Sequence, residues 1–207
     1  MTFALDHLLW GVPDLDEGVA HLAQLLGVEP VPGGEHPGFG TRNALLSLGA
    51  GVYLEVIAPD PLQDLGGTRG ERLAALAAPT LLTFALRASD LPRLALQVEA
   101  TGLRTPGPVA MSRLRPDRRR LAWEVLKLGG HPYGDSLPFF IDWLESEHPS
   151  VDAPGGCALK EFEVGHPEHD ALADLYAKLK IDVAVVAAPE PQLRATLETP
   201  VGFVTLD

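Results

Sequence analysis

The feature that most constrains the fold of this chain is a pattern that occurs three times along it. Each copy begins with an apolar run of strand length, continues through a turn bearing proline or aspartate, and ends in a segment with apolar residues at helical spacing. The copies span residues 4–28, 81–103 and 158–181. Because repeated supersecondary units place equivalent positions on equivalent elements, the pattern predicts repeated modules and indicates where a shared site would lie.

The first two copies also close alike, each with an apolar strand that carries one carboxylate. The closing runs are GVYLEVIAP at residues 51–59 and PFFIDWLES at residues 138–146, and the carboxylates are Glu55 and Asp142. Ionised carboxylates on apolar strands are costly to bury unless they are paired or bind a metal. Glu55 and Asp142 are therefore candidates for a functional role.

Turn signals and apolar runs between these ends predict two more strands in each of the first two copies, which gives the order β-α-β-β-β twice. We expect an α+β protein with a third, shorter β-α-β unit at its C-terminus. The predicted divisions are a first module at residues 1–60, a linker with a short helix at 61–79, a second module at 80–146 and the third unit at 147–207.

Local signals predict where several elements begin and end. Asp14 can cap a helix that runs to about Leu26, and Gly27 suits the left-handed residue that often ends a helix. The segment GGEHPGFGTRN at residues 33–43 is so rich in glycine that it predicts a loop. A short helix is predicted at residues 190–197.

Composition excludes several classes of function. The chain has 207 residues, nearly half of them apolar, and a formal net charge of −12, so we expect a globular protein that repels nucleic acid. No run approaches the roughly 20 apolar residues of a membrane helix, and the N-terminus lacks the basic lead of a secretory signal. Cys157 is the only cysteine, which excludes an intrachain disulfide and a thiolate-rich metal site. We expect a cytoplasmic protein with no nucleic-acid partner and no membrane partner.

Four short motifs follow one another along the chain: DHL at residues 6–8, HPGFGTRN at 36–43, YLE at 53–55 and PFFIDW at 138–143. On tandem β-α-β-β-β modules they resemble the vicinal oxygen chelate (glyoxalase/bleomycin-resistance) superfamily, and most closely its glyoxalase-like domain branch. The resemblance covers residues 3–146 well and the third unit loosely. It implies that the two modules form a partly closed mixed sheet with an active site on its concave face.

The resemblance also implies a metal site. It makes His7 and Glu55 ligands from the first module, and aligning VYLEVI with FFIDWL places Asp142 opposite Glu55. Two carboxylates and one imidazole would suit a divalent Zn, Mn, Fe, Ni or Co ion. Thr83 aligns with His7 where metal-dependent relatives usually have His, Gln or Glu, so no fourth ligand is implied. The alternative is that His7 is a core residue and that Glu55 pairs with Arg42.

The glycine-rich segment and one aromatic residue supply candidates for catalysis and substrate binding. With Glu55, His36 is a candidate proton-transfer group. Arg42 and Asn43 offer donors for a carboxylate or carbonyl group, and Trp123 can line the pocket. The alternatives are a solvent-facing histidine, an asparagine that caps its own backbone, and a core tryptophan.

Five arginines between residues 113 and 120 surround a predicted hairpin tip at Pro116 and Asp117. We interpret them as a solvated turn. The alternative is a gate that attracts an anionic substrate into an acidic protein.

These observations favour a metal-assisted enzyme that acts on a small carbonyl- or carboxylate-bearing metabolite. Lyase, isomerase and dioxygenase chemistry all stay open, because the fold does not choose among them. The alternative is a non-catalytic protein of the bleomycin-resistance type that sequesters a small molecule. Either protein would have a small-molecule partner, and apolar strand edges in the third unit would suit a homodimer.

Overall fold

The structure of the chain is a computed structural model that describes residues 3–114 and 118–207, with only the backbone of Leu114. The predicted hairpin tip at Pro116 and Asp117 lies outside the described residues. The longest helix in the described ranges has 12 residues, and none of the helices there is long and apolar enough to cross a membrane.

The first module has the predicted order of elements. They are β1 (Ala4–Gly11), α1 (Leu15–Leu26), β2 (Val31–His36), β3 (Thr41–Ser47) and β4 (Tyr53–Pro59). The Asp14 side chain accepts hydrogen bonds from the backbone N–H groups of Asp16 and Glu17, and Gly27 has φ 71°. Both predicted ends of the helix are therefore present, for the reasons that the sequence gives.

A linker with a short helix joins the first module to the second, which again has the order β-α-β-β-β. The elements are α2 (Arg69–Ala74) in the linker, then β5 (Thr80–Arg87), α3 (Leu91–Glu99), β6 (Val109–Leu114), β7 (Arg120–Leu126) and β8 (Phe139–Asp142). Both modules therefore place a strand, a helix and three further strands in the same succession.

The two modules form one eight-stranded mixed sheet, in the order β2-β3-β4-β1-β5-β8-β7-β6. Within each module the first and last strands are parallel, and the antiparallel pair β1–β5 joins the modules at the centre. The edge strands β2 and β6 approach each other, so the sheet curls until it is nearly closed. The predicted α+β class and partly closed mixed sheet are confirmed.

The third unit forms a second sheet of its own. Its elements are β9 (Ala158–His166), α4 (His169–Leu179), β10 (Ala184–Ala187), β11 (Gln192–Thr199) and β12 (Gly202–Leu206), with strand order β10-β9-β11-β12. The helix predicted at residues 190–197 is wrong, because β11 lies between β9 and β12 and exchanges backbone hydrogen bonds with both. Burial alternates along β11, with Leu193, Ala195 and Leu197 inside.

The outer face of the large sheet carries the main core. Leu8, Phe84 and Phe140 from its strands pack in one cluster with Leu22 of α1 and Tyr176 of α4. Each such side chain contributes about 1.5–3 kcal/mol of burial free energy. The third unit thus covers the outer face, which leaves the inner face for a ligand.

The segment at residues 33–43 is a hairpin and not the predicted loop. β2 pairs with β3 from Val31 to His36, and only the four residues between the strands form a turn. Within this strand, position 33 requires glycine because a Cβ there would overlap Oδ1 of Asn43. Gly33 makes room for the Asn43 side chain, so its presence does not indicate a turn.

Candidate active site on the concave face

A cavity of about 350 Å³ lies inside the curl of the eight-stranded sheet. The two modules line it with different chemistry. From the first come His7, His36, Asn43, Tyr53 and Glu55. From the second come mainly apolar side chains, Met111, Trp123, Val125, Phe139, Ile141 and Trp143. The cavity therefore has a reactive wall and an apolar wall.

Glu55 is at the centre of the reactive wall. It is 7% exposed, and its Oε1 accepts a hydrogen bond from Nδ2 of Asn43 at 2.5 Å. Nε2 of His7 lies 3.7 Å from Oε2, and Nε2 of His36 lies 3.8 Å from Oε1. The carboxylate is thus held between two imidazoles at the edge of an open cavity.

The surroundings of Glu55 keep it ionised. Burial alone would raise the pKa of its carboxyl group, because the charged form loses hydration. The charges of His36 and His7 and the hydrogen bond from Asn43 outweigh that effect and lower the pKa below its ordinary value. A buried carboxylate at neutral pH is a candidate proton acceptor.

His7 is oriented by its neighbour Asp6. A β-bulge between Leu5 and His7 brings both side chains to the same side of the sheet, and Nδ1 of His7 lies 2.8 Å from Oδ1 of Asp6. The ring also stacks on Tyr53, with centroids 4.6 Å apart. Since Nδ1 donates to a carboxylate, Nε2 is the ring atom that can exchange a proton in the cavity.

Asp6 is the most enclosed carboxylate of the site, with 0% exposure. Besides His7, it accepts from Nε of Arg87 at 2.8 Å, Nε1 of Trp143 at 3.2 Å and Nε2 of His148 at 3.1 Å. Burial would raise the pKa of Asp6, but the hydrogen bonds of His148 and His7, the charge of His7 and the Arg87 hydrogen bond lower it well below its ordinary value. Asp6 therefore stays charged and keeps His7 fixed.

His36 occupies the other side of Glu55. Its Nδ1 lies 2.9 Å from Oγ1 of Thr41, and its Nε2 lies 3.4 Å from Nδ2 of Asn43. Burial lowers the pKa of His36, and the nearby charges of Arg113 and Arg69 add to this against the opposing effect of Glu55. Burial therefore favours the neutral imidazole of His36, while Glu55 favours the charged form.

Positive charge surrounds the rest of the cavity. Its lining includes Arg69, Arg72, Arg113 and Lys127, against Glu55 as the one carboxylate among the described lining residues. Arg113 is only 5% exposed. In a chain of formal charge −12, four cations around one cavity make it suited to an anionic molecule.

Of the predicted site residues, the structure brings five together around the cavity. These are His7, His36, Asn43, Glu55 and Trp123. The ring of Trp123 lies edge-on to His36, with centroids 6.3 Å apart. The alternative that Glu55 pairs with Arg42 is wrong, because Asn43 and the imidazoles surround Glu55.

Arg42 and Asp142 lie outside the cavity. Arg42 follows Thr41 and precedes Asn43 on β3, so it points to the opposite face, where NH2 is 3.5 Å from Oδ2 of Asp16. Asp142 alternates in the same way with Ile141, and its Oδ1 accepts from the backbone N–H of Leu144. Neither Arg42, the predicted substrate-binding residue, nor Asp142, the predicted metal ligand, therefore lines this cavity.

The predicted metal site is not assembled. Its third ligand, Asp142, faces away from His7 and Glu55. In the described part of the chain, no group of three or more His, Cys, Asp and Glu side chains has an arrangement that could hold a metal ion. The structure therefore does not bring together His7, Glu55 and Asp142, the set that the resemblance implies, and the cations of the lining would oppose a divalent metal.

Sequence reasoning missed several residues of the site. Asp6 carried a signal, since it is a carboxylate inside an apolar strand, but strict alternation would place it opposite His7. Arg113 was interpreted as part of a solvated turn, whereas the structure buries it in the cavity lining. Nothing in the linker sequence distinguishes Arg69 from a surface residue.

Comparison with known proteins agrees with this geometry. A family model described as a glyoxalase-like domain matches residues 5–180. The chain belongs to the glyoxalase-like domain family. The family lies within the vicinal oxygen chelate superfamily, and the match continues beyond residue 146 through α4. The glyoxalase-like domain thus includes the start of the third unit, which the motifs covered only loosely.

Solved structures share the fold at low identity. A hypothetical protein from Staphylococcus aureus matches with a TM-score of 0.73 and 15% identity, covering 93% of this chain and 88% of that one. A methylmalonyl-CoA epimerase from Streptomyces coelicolor in complex with 2-nitronate-propionyl-CoA matches with a TM-score of 0.52 and 19% identity, covering 72% and 100%. At these identities the likeness shows the fold alone. A search of curated proteins found no match.

Proposed function

We propose that this glyoxalase-like protein is an enzyme that moves a proton on a small carbonyl- or carboxylate-bearing metabolite held inside the curled sheet. The observation that carries the proposal is the position of Glu55: buried, ionised, and between the Nε2 atoms of His7 and His36 at 3.7 and 3.8 Å. A buried charge in that position is costly to maintain in an inert pocket.

Each residue of the reactive wall has a role in this reaction. Glu55 takes a proton from the carbon next to the carbonyl group, which leaves an enolate and a carboxylic acid. Arg113 supplies positive charge in the same cavity for the developing enolate oxygen. His7 can hold the proton at Nε2, since Asp6 stabilises the imidazolium that forms. Return of the proton to carbon completes the reaction.

The test is exchange of carbon-bound hydrogen in D₂O, followed by proton NMR. The substrates are pyruvate, 2-oxobutyrate, 2-oxoglutarate and methylmalonyl-CoA. We expect exchange with at least one of them, and Glu55→Gln should slow it by about 100-fold or more, as loss of a general base does. Asp142→Asn is the matched control, because that carboxylate lies on the outer face, and it should keep the native rate.

Two results would contradict the proposal: no exchange with any of the four compounds, or a native rate in Glu55→Gln. The second candidate function is non-catalytic sequestration of a small molecule. The apolar wall of Trp123, Trp143 and Ile141 favours it, because such a surface suits binding without reaction. Calorimetric binding of a compound that does not exchange would support sequestration.

A further inference from the structure

A part of the cavity wall carries three cations that the proposed proton transfer does not use. Arg69 and Arg72 lie on α2, and Lys127 directly follows β7, so the group joins the linker to the second module. We call these three residues the outer cationic wall. Arg72 and Lys127 are exposed and Arg69 is half-buried, whereas Arg113 and Glu55 are buried, so the wall extends from the reactive groups toward solvent.

The cations of this wall form no ion pairs with protein carboxylates in the described part of the chain. Within the described ranges, no hydrogen bond or ion pair joins Arg69, Arg72 or Lys127 to another residue. Glu55 and Asp135 act electrostatically on Arg69, and Asp135 acts on Lys127, but neither carboxylate forms an ion pair with these cations. Three like charges without partners around one cavity favour an anionic occupant.

The ionisation of the wall agrees with this arrangement. Burial lowers the pKa of Lys127, and the charges of Arg69 and Arg72 lower it further. Burial also lowers the pKa of Arg69, against the opposing charges of Glu55 and Asp135, and Arg72 adds a smaller lowering effect. An oxyanion between these side chains would relieve their mutual repulsion and raise both pKa values.

We propose that the outer cationic wall binds a second oxyanion group of the substrate, a carboxylate or a phosphoryl group. The substrate class is then a small metabolite with two anionic ends. One end lies at Glu55 and Arg113, where the reaction occurs, and the other lies between Arg69, Arg72 and Lys127. This inference rests on the proposed function for the identity of the reacting end only.

The size of the cavity agrees with such a molecule. A volume of about 350 Å³ equals roughly a dozen water-sized groups, since water occupies about 30 Å³ in the liquid. That space holds a metabolite of a few carbons with an anionic group at each end. Arginine and lysine side chains bind carboxylate and phosphoryl oxygens through charge-assisted hydrogen bonds.

The test is isothermal titration calorimetry with three ligands at physiological ionic strength. Pyruvate has one carboxylate, 2-oxoglutarate has two, and phosphoglycolate has a carboxylate and a phosphoryl group. We expect the two-anion ligands to bind about tenfold or more tightly than pyruvate, because each partly exposed ion pair adds up to about fivefold. Whether 2-oxoglutarate or phosphoglycolate binds more tightly distinguishes the two kinds of oxyanion.

Substitutions in the outer cationic wall test whether it is the part of the cavity that binds the second anionic group. The double variant Arg72→Ala/Lys127→Ala changes exposed side chains, so it should fold with an unchanged circular dichroism spectrum. It should weaken the two-anion ligands by about tenfold and pyruvate by less than about threefold. Arg120→Ala removes an exposed cation of β7 that does not line the cavity, and it should leave all three affinities unchanged.

Equal native affinity for all three ligands, or an equal loss for all three in the double variant, would overturn the inference. The inference would also be overturned if neither 2-oxoglutarate nor phosphoglycolate bound. Because calorimetry measures binding and the NMR test measures exchange, the two proposals fail separately. If the chain binds phosphoglycolate through Arg72 and Lys127 but exchanges no protons, the proposed oxyanion site stands and the proposed enzymatic function fails.

Discussion

Asp6 supports the reactive wall without facing the substrate. It is the extra residue of a β-bulge in β1, and its buried carboxylate accepts hydrogen bonds from His7, Arg87, Trp143 and His148. These donors come from both modules and from the segment that leads to the third unit. One carboxylate thus joins the parts of the molecule that form the cavity.

We expect Asp6→Asn to lower the free energy of unfolding by about 3 kcal/mol at pH 7, because it leaves buried donors without their charged acceptor. Urea denaturation followed by circular dichroism measures the change. Asp16→Asn, at an exposed carboxylate of α1, is the control and should change stability by less than about 0.5 kcal/mol. A loss for Asp6→Asn as small as for the control would show that the network contributes little.

The contribution of Asp6 should depend on pH. Its pKa is lower in the folded chain than its ordinary value of 3.8, so its carboxylate stabilises the fold above that value. As the pH falls below about 4, the unfolded chain takes up the proton first, and the difference between native protein and Asp6→Asn should shrink by about 1.4 kcal/mol per pH unit. Denaturation curves between pH 5 and pH 3 measure this slope. A difference that stays constant below pH 4 would contradict it.

Gly33 controls the position of Asn43. Because a Cβ at residue 33 would overlap Oδ1 of Asn43, Gly33→Ala should displace that side chain and release its hydrogen bond to Glu55. We expect the NMR exchange rate to fall by about tenfold, which corresponds to about 1.4 kcal/mol of lost transition-state stabilisation. Gly155→Ala is the matched control, since nothing lies within 4 Å of its added Cβ. Unchanged exchange in Gly33→Ala would show that Asn43 does not position Glu55.

At the scale of elements, α2 rests directly on the turn between β2 and β3. A Cβ at Gly70 would overlap the carbonyl oxygen of Gly40, and the Gly70 N–H donates to the carbonyl of Phe39 at 3.2 Å. This close approach of two backbones fixes the helix that carries Arg69 and Arg72. The linker is therefore part of the cavity wall.

We expect Gly70→Ala to move α2 away from the turn. Alanine normally favours a helix by about 1 kcal/mol over glycine, so a loss of stability here would show that the contact outweighs helix propensity. The variant should bind phosphoglycolate less tightly and pyruvate with native affinity, as measured by calorimetry. Native affinity for both ligands together with raised stability would mean that the contact between Gly70 and the turn does not fix the position of α2.

The elements differ in how far their sequences determine them. α1 was predictable because Asp14 and Gly27 act through bonds and dihedral angles within the helix itself. β11 was not, because its strand conformation depends on pairing with β9 and β12, which are distant in sequence or follow it. β2 was predicted as a loop since its glycines resemble turn residues, whereas Gly33 makes room for Asn43.

The residues of the candidate site were also predictable only in part, because the sequence shows some strand faces and not others. His7 and Glu55 were predicted from the DHL and YLE motifs, because the family resemblance places both residues at the site. Arg42 and Asn43 are consecutive, so only one of them could face the cavity. Asp142 lies on a strand with apolar residues on both faces, and the sequence of such a strand does not indicate which face is the inner one.

At the scale of the whole molecule, the repeated modules are alike in topology and unlike in chemistry. The first module supplies the imidazoles, the amide and the carboxylate of the cavity, and the second supplies mainly apolar side chains with Arg113 and Lys127. The alignment that places Asp142 opposite Glu55 does not bring Asp142 into the cavity, because the second module has no counterpart of Glu55 on the inner face.

That asymmetry has a stereochemical consequence. An enolate lying between the two walls would meet proton-donating groups on one of its faces and hydrocarbon on the other. Reprotonation from a single side would give one enantiomer at the new carbon centre. With 2-oxobutyrate in D₂O, we therefore expect singly deuterated product of one handedness, and a racemic label would mean that protons reach the enolate from both sides.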